Sequence, residues 1–291
     1  MGGQKFAIIE APSALGLRPS GVQDAPMFFR RSNLYKKLGF DFNPKEVFSE
    51  PYSSVRSDQT HMLNADSIKI YSNSLAFYVK ELIKRNEFPI VFGGDSSILL
   101  GCLLGVHKAE RRVGLFYLGG HQDSYPAHLS STGEVADMAF RIAIQGDSVI
   151  LNGGNLVRPE HAVLFGYRDE AECKKEGSLD MRKSGVNYYS LADITNLGAD
   201  SQAKSAAHRI KKTGIKRHWI HLDVDVLNDN LMPAVDYRQP GGLKFEELGD
   251  VLDVMLENAI GMDITSYNPK LDLQGISGRK LSRILTFHLK S

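Results

Sequence analysis

The residues of this chain best suited to chemistry sit in short clusters, each closing an apolar run. The segment His218-Trp219-Ile220-His221-Leu222-Asp223-Val224-Asp225 ends on two aspartates two positions apart. Alternate side chains of an extended segment share a face, so Asp223 and Asp225 would stand together at a buried strand end. Two carboxylates held that close raise each other's pKa unless a cation compensates, which makes the pair a candidate metal anchor. His221 lies on the same face one layer deeper and suits a supporting or core role better than a ligand role. In Tyr117-Leu118-Gly119-Gly120-His121-Gln122-Asp123 the same alternation puts His121 and Asp123 together. An imidazole and a carboxylate begin a transition-metal site, and a hydrogen-bonded structural pair accounts for them equally well.

Three further clusters carry less on their own. Val91-Phe92-Gly93-Gly94-Asp95-Ser96-Ser97 runs a strand into two glycines, an acid and two hydroxyls. The glycines permit a tight turn, and Asp95 could cap the next helix or orient a neighbour; an ordinary strand-to-helix turn has the same composition. Gly133-Glu134-Val135-Ala136-Asp137-Met138 opens a helix with acids in its first turn, where the helix dipole favours them. Gly261-Met262-Asp263-Ile264-Thr265-Ser266-Tyr267-Asn268-Pro269 runs a last strand into a turn marked by Asn268-Pro269.

The elements that must position these clusters alternate along the chain. Short apolar runs at 6–9, 89–92, 114–118, 162–165, 188–190, 219–224 and 260–264 show little alternation, as parallel strands covered on both faces do. Amphipathic stretches at 66–85, 134–144, 200–212, 245–256 and 277–289 read as helices, the first with Asp66 as its N-cap. Repeated βαβ crossovers predict an α/β fold with a mostly parallel sheet between helices. Residues 41–63 are weakly patterned and read as an irregular connection, and with no linker or repeat in sight one domain over 1–291 is expected. Ligands of such sheets bind beyond the C-terminal ends of the strands, where the clusters fall.

Composition narrows the partners. The 35 Lys and Arg balance 34 Asp and Glu, which gives no electrostatic footprint for nucleic acid or an anionic membrane. No apolar stretch approaches the ~20 residues that span a bilayer. Cys102 and Cys173 have no metal-ligand or redox spacing. The N-terminal residues show no signal-peptide core, so a cytoplasmic protein with small-molecule or protein partners is expected.

Taken in order, these clusters resemble the ureohydrolase family, which comprises arginase, agmatinase, formiminoglutamase and relatives. The family's GGDHS, DAHxD, DVD and late ENP-type motifs have counterparts in Gly93-Gly94-Asp95-Ser96-Ser97, Gly119-Gly120-His121-Gln122-Asp123, Asp223-Val224-Asp225 and Ser266-Tyr267-Asn268-Pro269. Phe165-Gly166-Tyr167-Arg168-Asp169 is similar to its GxRD strand end, and Pro240-Gly241-Gly242-Leu243 to its PGGL turn. The run Met232-Pro233-Ala234-Val235-Asp236 adds a likeness to a divergent bacterial, arginase-like branch. The resemblance implies a three-layer α/β/α arginase-like fold with about eight strands, assembled as a trimeric or hexameric homo-oligomer. It also implies hydrolysis of C–N bonds in linear amidines or guanidino compounds by a hydroxide held between two Mn²⁺ ions.

Carried over position by position, the resemblance leaves the metal site incomplete. His121, Asp123, Asp223 and Asp225 retain ligand positions, whereas Ser96 stands for a histidine, Gly119 for a bridging aspartate and Ser266 for the glutamate that holds a guanidinium. The first ion keeps Asp123 and Asp223; the second keeps His121, Asp223 and Asp225, a three-ligand open set. At most one firmly bound Mn²⁺ is therefore expected, with Asp123 and Asp223 as the catalytic carboxylates and Glu134, Asp137, Asp169 and Glu170 recognising a cationic guanidino or amidino substrate. By this mapping Ser96→His with Gly119→Asp restores the set. The alternative is a metal-deficient pseudoenzyme that binds a ligand or regulates an oligomer partner.

Overall fold

The short apolar runs assemble side by side. In the computed structural model, which describes residues 5–40, 44–110, 112–178 and 180–290, the strands are β1 (Lys5–Ala11), β2 (Lys45–Glu46), β3 (Glu87–Gly93), β4 (Gly114–Leu118), β5 (Ala162–Phe165), β6 (Asn187–Tyr189), β7 (His218–Asp223) and β8 (Ala259–Thr265). They form an eight-stranded sheet in the order β2-β1-β3-β8-β7-β4-β5-β6, every pairing parallel. Helices α1 (Ala25–Arg31), α2 (Leu34–Lys37), α3 (Ala65–Lys84), α4 (Ile98–Ala109), α5 (Ala139–Gln145), α6 (Glu170–Lys175), α7 (Leu191–Leu197), α8 (Ala199–Lys212), α9 (Phe245–Leu256) and α10 (Ile276–Lys290) connect them.

Strand alternation divides the interior into two layers. Ile8, Phe116 and Leu118 pack with α1, α8, α9 and α10 on one face, while Ile9, Leu115 and Tyr117 pack with α3, α4 and α5 on the other. The three-layer α/β/α arrangement follows from this: each strand buries both sets of its side chains and needs helices on both sides. Among the described residues no helix is long and apolar enough to cross a membrane.

The seven expected strands are present with slightly different ends. The addition is β2, inside the segment 41–63 read as irregular; its two residues are exposed, so it carries no apolar signal. Positions 41–43 of that segment lie outside the described residues. Asp66 does not cap α3: the N-cap is Asn64, in the left-handed region at φ 53°. The expected helix at 134–144 divides into a 3-10 turn, Val135–Met138, and α5. Helix α4 escaped the reading because most of its length is buried between α3, α5 and the sheet, which leaves no polar stripe to reveal its period.

Connectivity creates the crevice. The chain pairs β1 with β3, continues on the far side with β4, β5 and β6, and later fills the gap with β7 and β8. The C-terminal ends of β3, β8, β7 and β4 therefore surround the place where strand order reverses, the usual ligand site of open α/β sheets.

Candidate active site

Each of those four strand ends delivers polar residues to one cavity of about 210 Å³. Asp95 and Ser96 follow β3, Ser266 follows β8, Asp223 closes β7 with Asp225 just beyond, and His121 and Asp123 follow β4. The backbone bends sharply there. Asp123 (φ 44°) and Ser266 (φ 65°) both take left-handed conformations that ordinary residues avoid, and such strain persists where the surroundings impose it, often at functional sites. Strand alternation does not set the spacing. Beyond Asp223 the chain enters a 3-10 turn, Val224–Val226, and the Asp225 amide donates to Asp223 Oδ1 at 2.9 Å. The segment 119–123 has likewise left the strand.

Each of the three carboxylates Asp123, Asp223 and Asp225 already has a proton donor. Ser96 Oγ donates to Asp223 Oδ2 at 2.7 Å, and Ser266 Oγ donates to the same oxygen. The Tyr117 phenol donates to Asp123 Oδ2. His121 Nδ1 lies 2.5 Å from Asp225 Oδ2, and the Gly120 amide donates to Asp225 Oδ1 at 2.6 Å. Two of the positions where the resemblance finds a family residue replaced, Ser96 and Ser266, thus supply hydroxyls to Asp223.

The electrostatics follow this pattern. Burial, with the Asp225 carboxylate beside it, pushes Asp223 up to about 7. Burial would also raise Asp225, but His121 holds it down to about 2. Against the opposing effect of burial, Asp225 raises His121 to about 10. Burial and the Asp123 charge push the Tyr117 phenol well up, which keeps it a proton donor.

An imidazole and two carboxylates, His121, Asp223 and Asp225, line the same cavity, with His121 on the Asp225 carboxylate and the Asp225 backbone amide on Asp223; these are donor types that a divalent ion takes. The first-ion position offers Asp123 and Asp223, each occupied by a hydroxyl. As the side chains stand, no group of three or more His, Cys, Asp or Glu among the described residues is spaced to hold a metal. Binding even one ion therefore has to displace the His121 proton and turn the carboxylates away from their present partners.

At position 119 the obstruction is steric. A Cβ there would lie 2.9 Å from Tyr117 Cε1. The Tyr117 ring cannot readily yield, since it stacks on His221 at 4.3 Å and packs edge-on against Phe140 at 5.0 Å. Asp95 serves the framework: it accepts from the Ser97 amide at 2.9 Å and from the Gly16 amide and Ser13 hydroxyl of the β1 loop.

The cavity wall is strongly acidic. Nine Asp or Glu residues line it, and no Lys or Arg among the described residues does. Two of the four expected recognition residues, Asp137 and Asp169, are in that wall. Glu134 stands behind it, accepting a hydrogen bond from lining residue Tyr237 at 2.8 Å. Glu170 is a correction: it faces a separate cavity beside Tyr167, because α6 turns it away from the strand ends. Asp169 is fully engaged, accepting from the Gln122 amide and side chain and from the Cys173 thiol. Glu172 and Glu176, missed in the sequence, take the wall positions instead. Asp236 also lines it, held by Ser20 at 2.8 Å and by Asn268.

A profile described as the arginase family matches residues 4–287 of the chain. An arginase of Staphylococcus aureus (strain MRSA252) is 28% identical over 275 residues, covering 91% of this chain and 90% of that protein. The native structure of Bacillus caldovelox arginase superposes with a TM-score of 0.88 at 23% identity, covering 99% of both chains. An Entamoeba histolytica arginase in complex with L-ornithine superposes with a TM-score of 0.86 at 19% identity, again over 99% of both.

Proposed function

We propose, on the premise that this chain belongs to the arginase family, that it binds a small guanidino or amidino cation in the acidic cavity and hydrolyses a C–N bond of it. The observation that carries this reading is the wall of nine carboxyl residues, without a Lys or Arg among the described residues. Four of the nine, Asp95, Asp169, Asp223 and Asp225, are buried; buried acid must be offset by protons, hydrogen bonds or cations, and a guanidinium offers delocalised charge with donors in a fixed plane. The S. aureus relative is named an arginase, which fits the same substrate class.

In this reading His121, Asp223 and Asp225 would hold one divalent ion, Mn²⁺ by family kinship. When bound, such an ion lowers the pKa of water and supplies a Lewis acid. The protein's own residues do the rest. Asp123, fixed by Tyr117, orients the attacking water, and Asp137, Glu172 and Asp236 attract the cation. Ser266, lacking a carboxylate, cannot grip a guanidinium as a glutamate would, so plain arginine is a poorer fit than another guanidino or amidino compound.

One observation favours a second reading. The hydroxyls of Ser96, Ser266 and Tyr117 already satisfy Asp223 and Asp123, as a metal-free binding protein of this family would require. Manganese loading followed by metal analysis, with urea and ammonia assayed over a guanidine panel, separates the two. Close to one manganese per chain with product is expected from the hydrolase. Metal-free protein that still binds guanidinium supports the binder, and absence of both metal and guanidinium binding sinks both readings.

The cavity's pH response is a further expectation. Burial, reinforced by Glu134, pushes Asp137 up to about 7, so it is neutral and unattractive to cations below that value and charged above it. Guanidinium affinity should weaken as pH falls through 7, by up to about tenfold per pH unit, since one unit corresponds to about 1.4 kcal/mol. Calorimetric titration should show a shallower dependence in Asp137→Asn; an unchanged profile in that variant removes Asp137 from cation recognition.

A further inference from the structure

Another cavity, of about 320 Å³, opens at the other end of the sheet and has the opposite character. Val113, which leads into β4, and His161, which leads into β5, both line it, so it lies at the N-terminal strand ends, away from the acidic site. Two guanidinium groups, Arg112 and Arg158, two imidazoles, His107 and His161, and the Asn155 amide supply its polar lining. No Asp or Glu among the described residues lines it.

The two arginines are exposed at the mouth of the cavity, and the imidazoles beside them are in part buried. His161 is 5% exposed, and its backbone amide is tied to Arg158 O at 2.9 Å. His107 Nδ1 is buried with no hydrogen-bond partner, and such orphaned polar atoms are rare in folded proteins. The carboxylate nearest Arg158, Glu160, is 3.9 Å away with both side chains more than half exposed. A solvated pair at that distance contributes little, so the guanidinium is available to another partner.

We infer that this cavity is a binding site for a small oxyanion, inorganic phosphate or the phosphate of a small metabolite, gripped by Arg112 and Arg158 and hydrogen-bonded by His107 and His161. Guanidinium forks match the oxygens of such anions in pairs. The volume holds a phosphate and a few waters, at about 30 Å³ per water, but not a polymer. Burial lowers the pKa of His161 and the two arginines lower it further, with Glu160 opposing; an anion among them would relieve that mutual repulsion.

Inorganic phosphate titrated at constant ionic strength, with the histidine imidazole resonances followed by NMR, tests the assignment. Saturable shifts are expected at His107 and His161 and not at His208. Binding should weaken roughly tenfold or more in Arg112→Gln and in Arg158→Gln, each of which removes charge-assisted hydrogen bonds. Both arginines sit at the surface, so the variants should fold, and unchanged melting temperatures verify it. Arg182→Gln, which alters an exposed residue paired with Asp180, should bind like the parent. Shifts that never saturate, equal affinity in the Arg112 and Arg158 variants, or equal weakening in Arg182→Gln overturns the proposal.

Discussion

Ser96→His combined with Gly119→Asp should leave manganese occupancy near that of the parent chain, and adding Tyr117→Val should raise it toward ~2 ions per chain, the number such centres hold. The sequence mapping alone makes the double variant sufficient, because it restores a histidine and a bridging aspartate. The geometry says otherwise. Any side chain at 119 meets the Tyr117 ring at 2.9 Å, and that ring is wedged between His221 and Phe140. Its phenol also donates to Asp123, a carboxylate the first ion would need. Valine clears both obstacles and keeps a β-branched side chain suited to the strand. The truncation opens a core cavity at a cost of about 2–5 kcal/mol, which restored metal binding can offset by mass action. Metal analysis after chelation and reloading gives the answer. Two ions in the double variant would show that Tyr117 is no barrier.

How much of this was legible in the sequence depends on what set each feature. The sheet was, because β3, β4, β7 and β8 are apolar runs whose composition reflects burial on both faces. The short edge strand β2 was not, since exposed residues carry no such imprint. In the site, Asp223 and Asp225 were recognisable as a pair, yet what joins them is a 3-10 turn and an amide-to-carboxylate hydrogen bond, not strand alternation. Tyr117 gave no signal, being an aromatic residue in a buried strand like many others. Its role depends on a ring reaching past Gly119 to Asp123, a tertiary fact. The acidic wall mixes both cases. Asp137 was found by its cluster, whereas Glu172 and Glu176 were missed because only the docking of α6 separates them from Glu170.

Asp263→Ala should be among the most destabilising single changes in the chain, by about 3–5 kcal/mol, the usual cost of breaking a buried charged pair from one side. Asp263 and His221 are both fully buried. One carboxylate oxygen accepts from Trp219 Nε1 at 2.5 Å and the other meets His221 Nδ1 at 2.5 Å. His221 Nε2 has no partner of its own, so losing Asp263 leaves the imidazole unpaired and the indole N–H unsatisfied as well. Trp219→Phe should cost less, because it removes donor and hydrogen bond together and Asp263 keeps His221. Urea denaturation of the two variants measures the order, and Trp219→Phe equal to or worse than Asp263→Ala would overturn it. The consequence reaches the active site through one stack: His221 supports the Tyr117 ring, and Tyr117 holds Asp123. A folded Asp263→Ala protein should therefore lose guanidinium affinity although residue 263 lines no part of the acidic cavity, and unchanged affinity would mean that Tyr117 keeps its place without His221 beneath it.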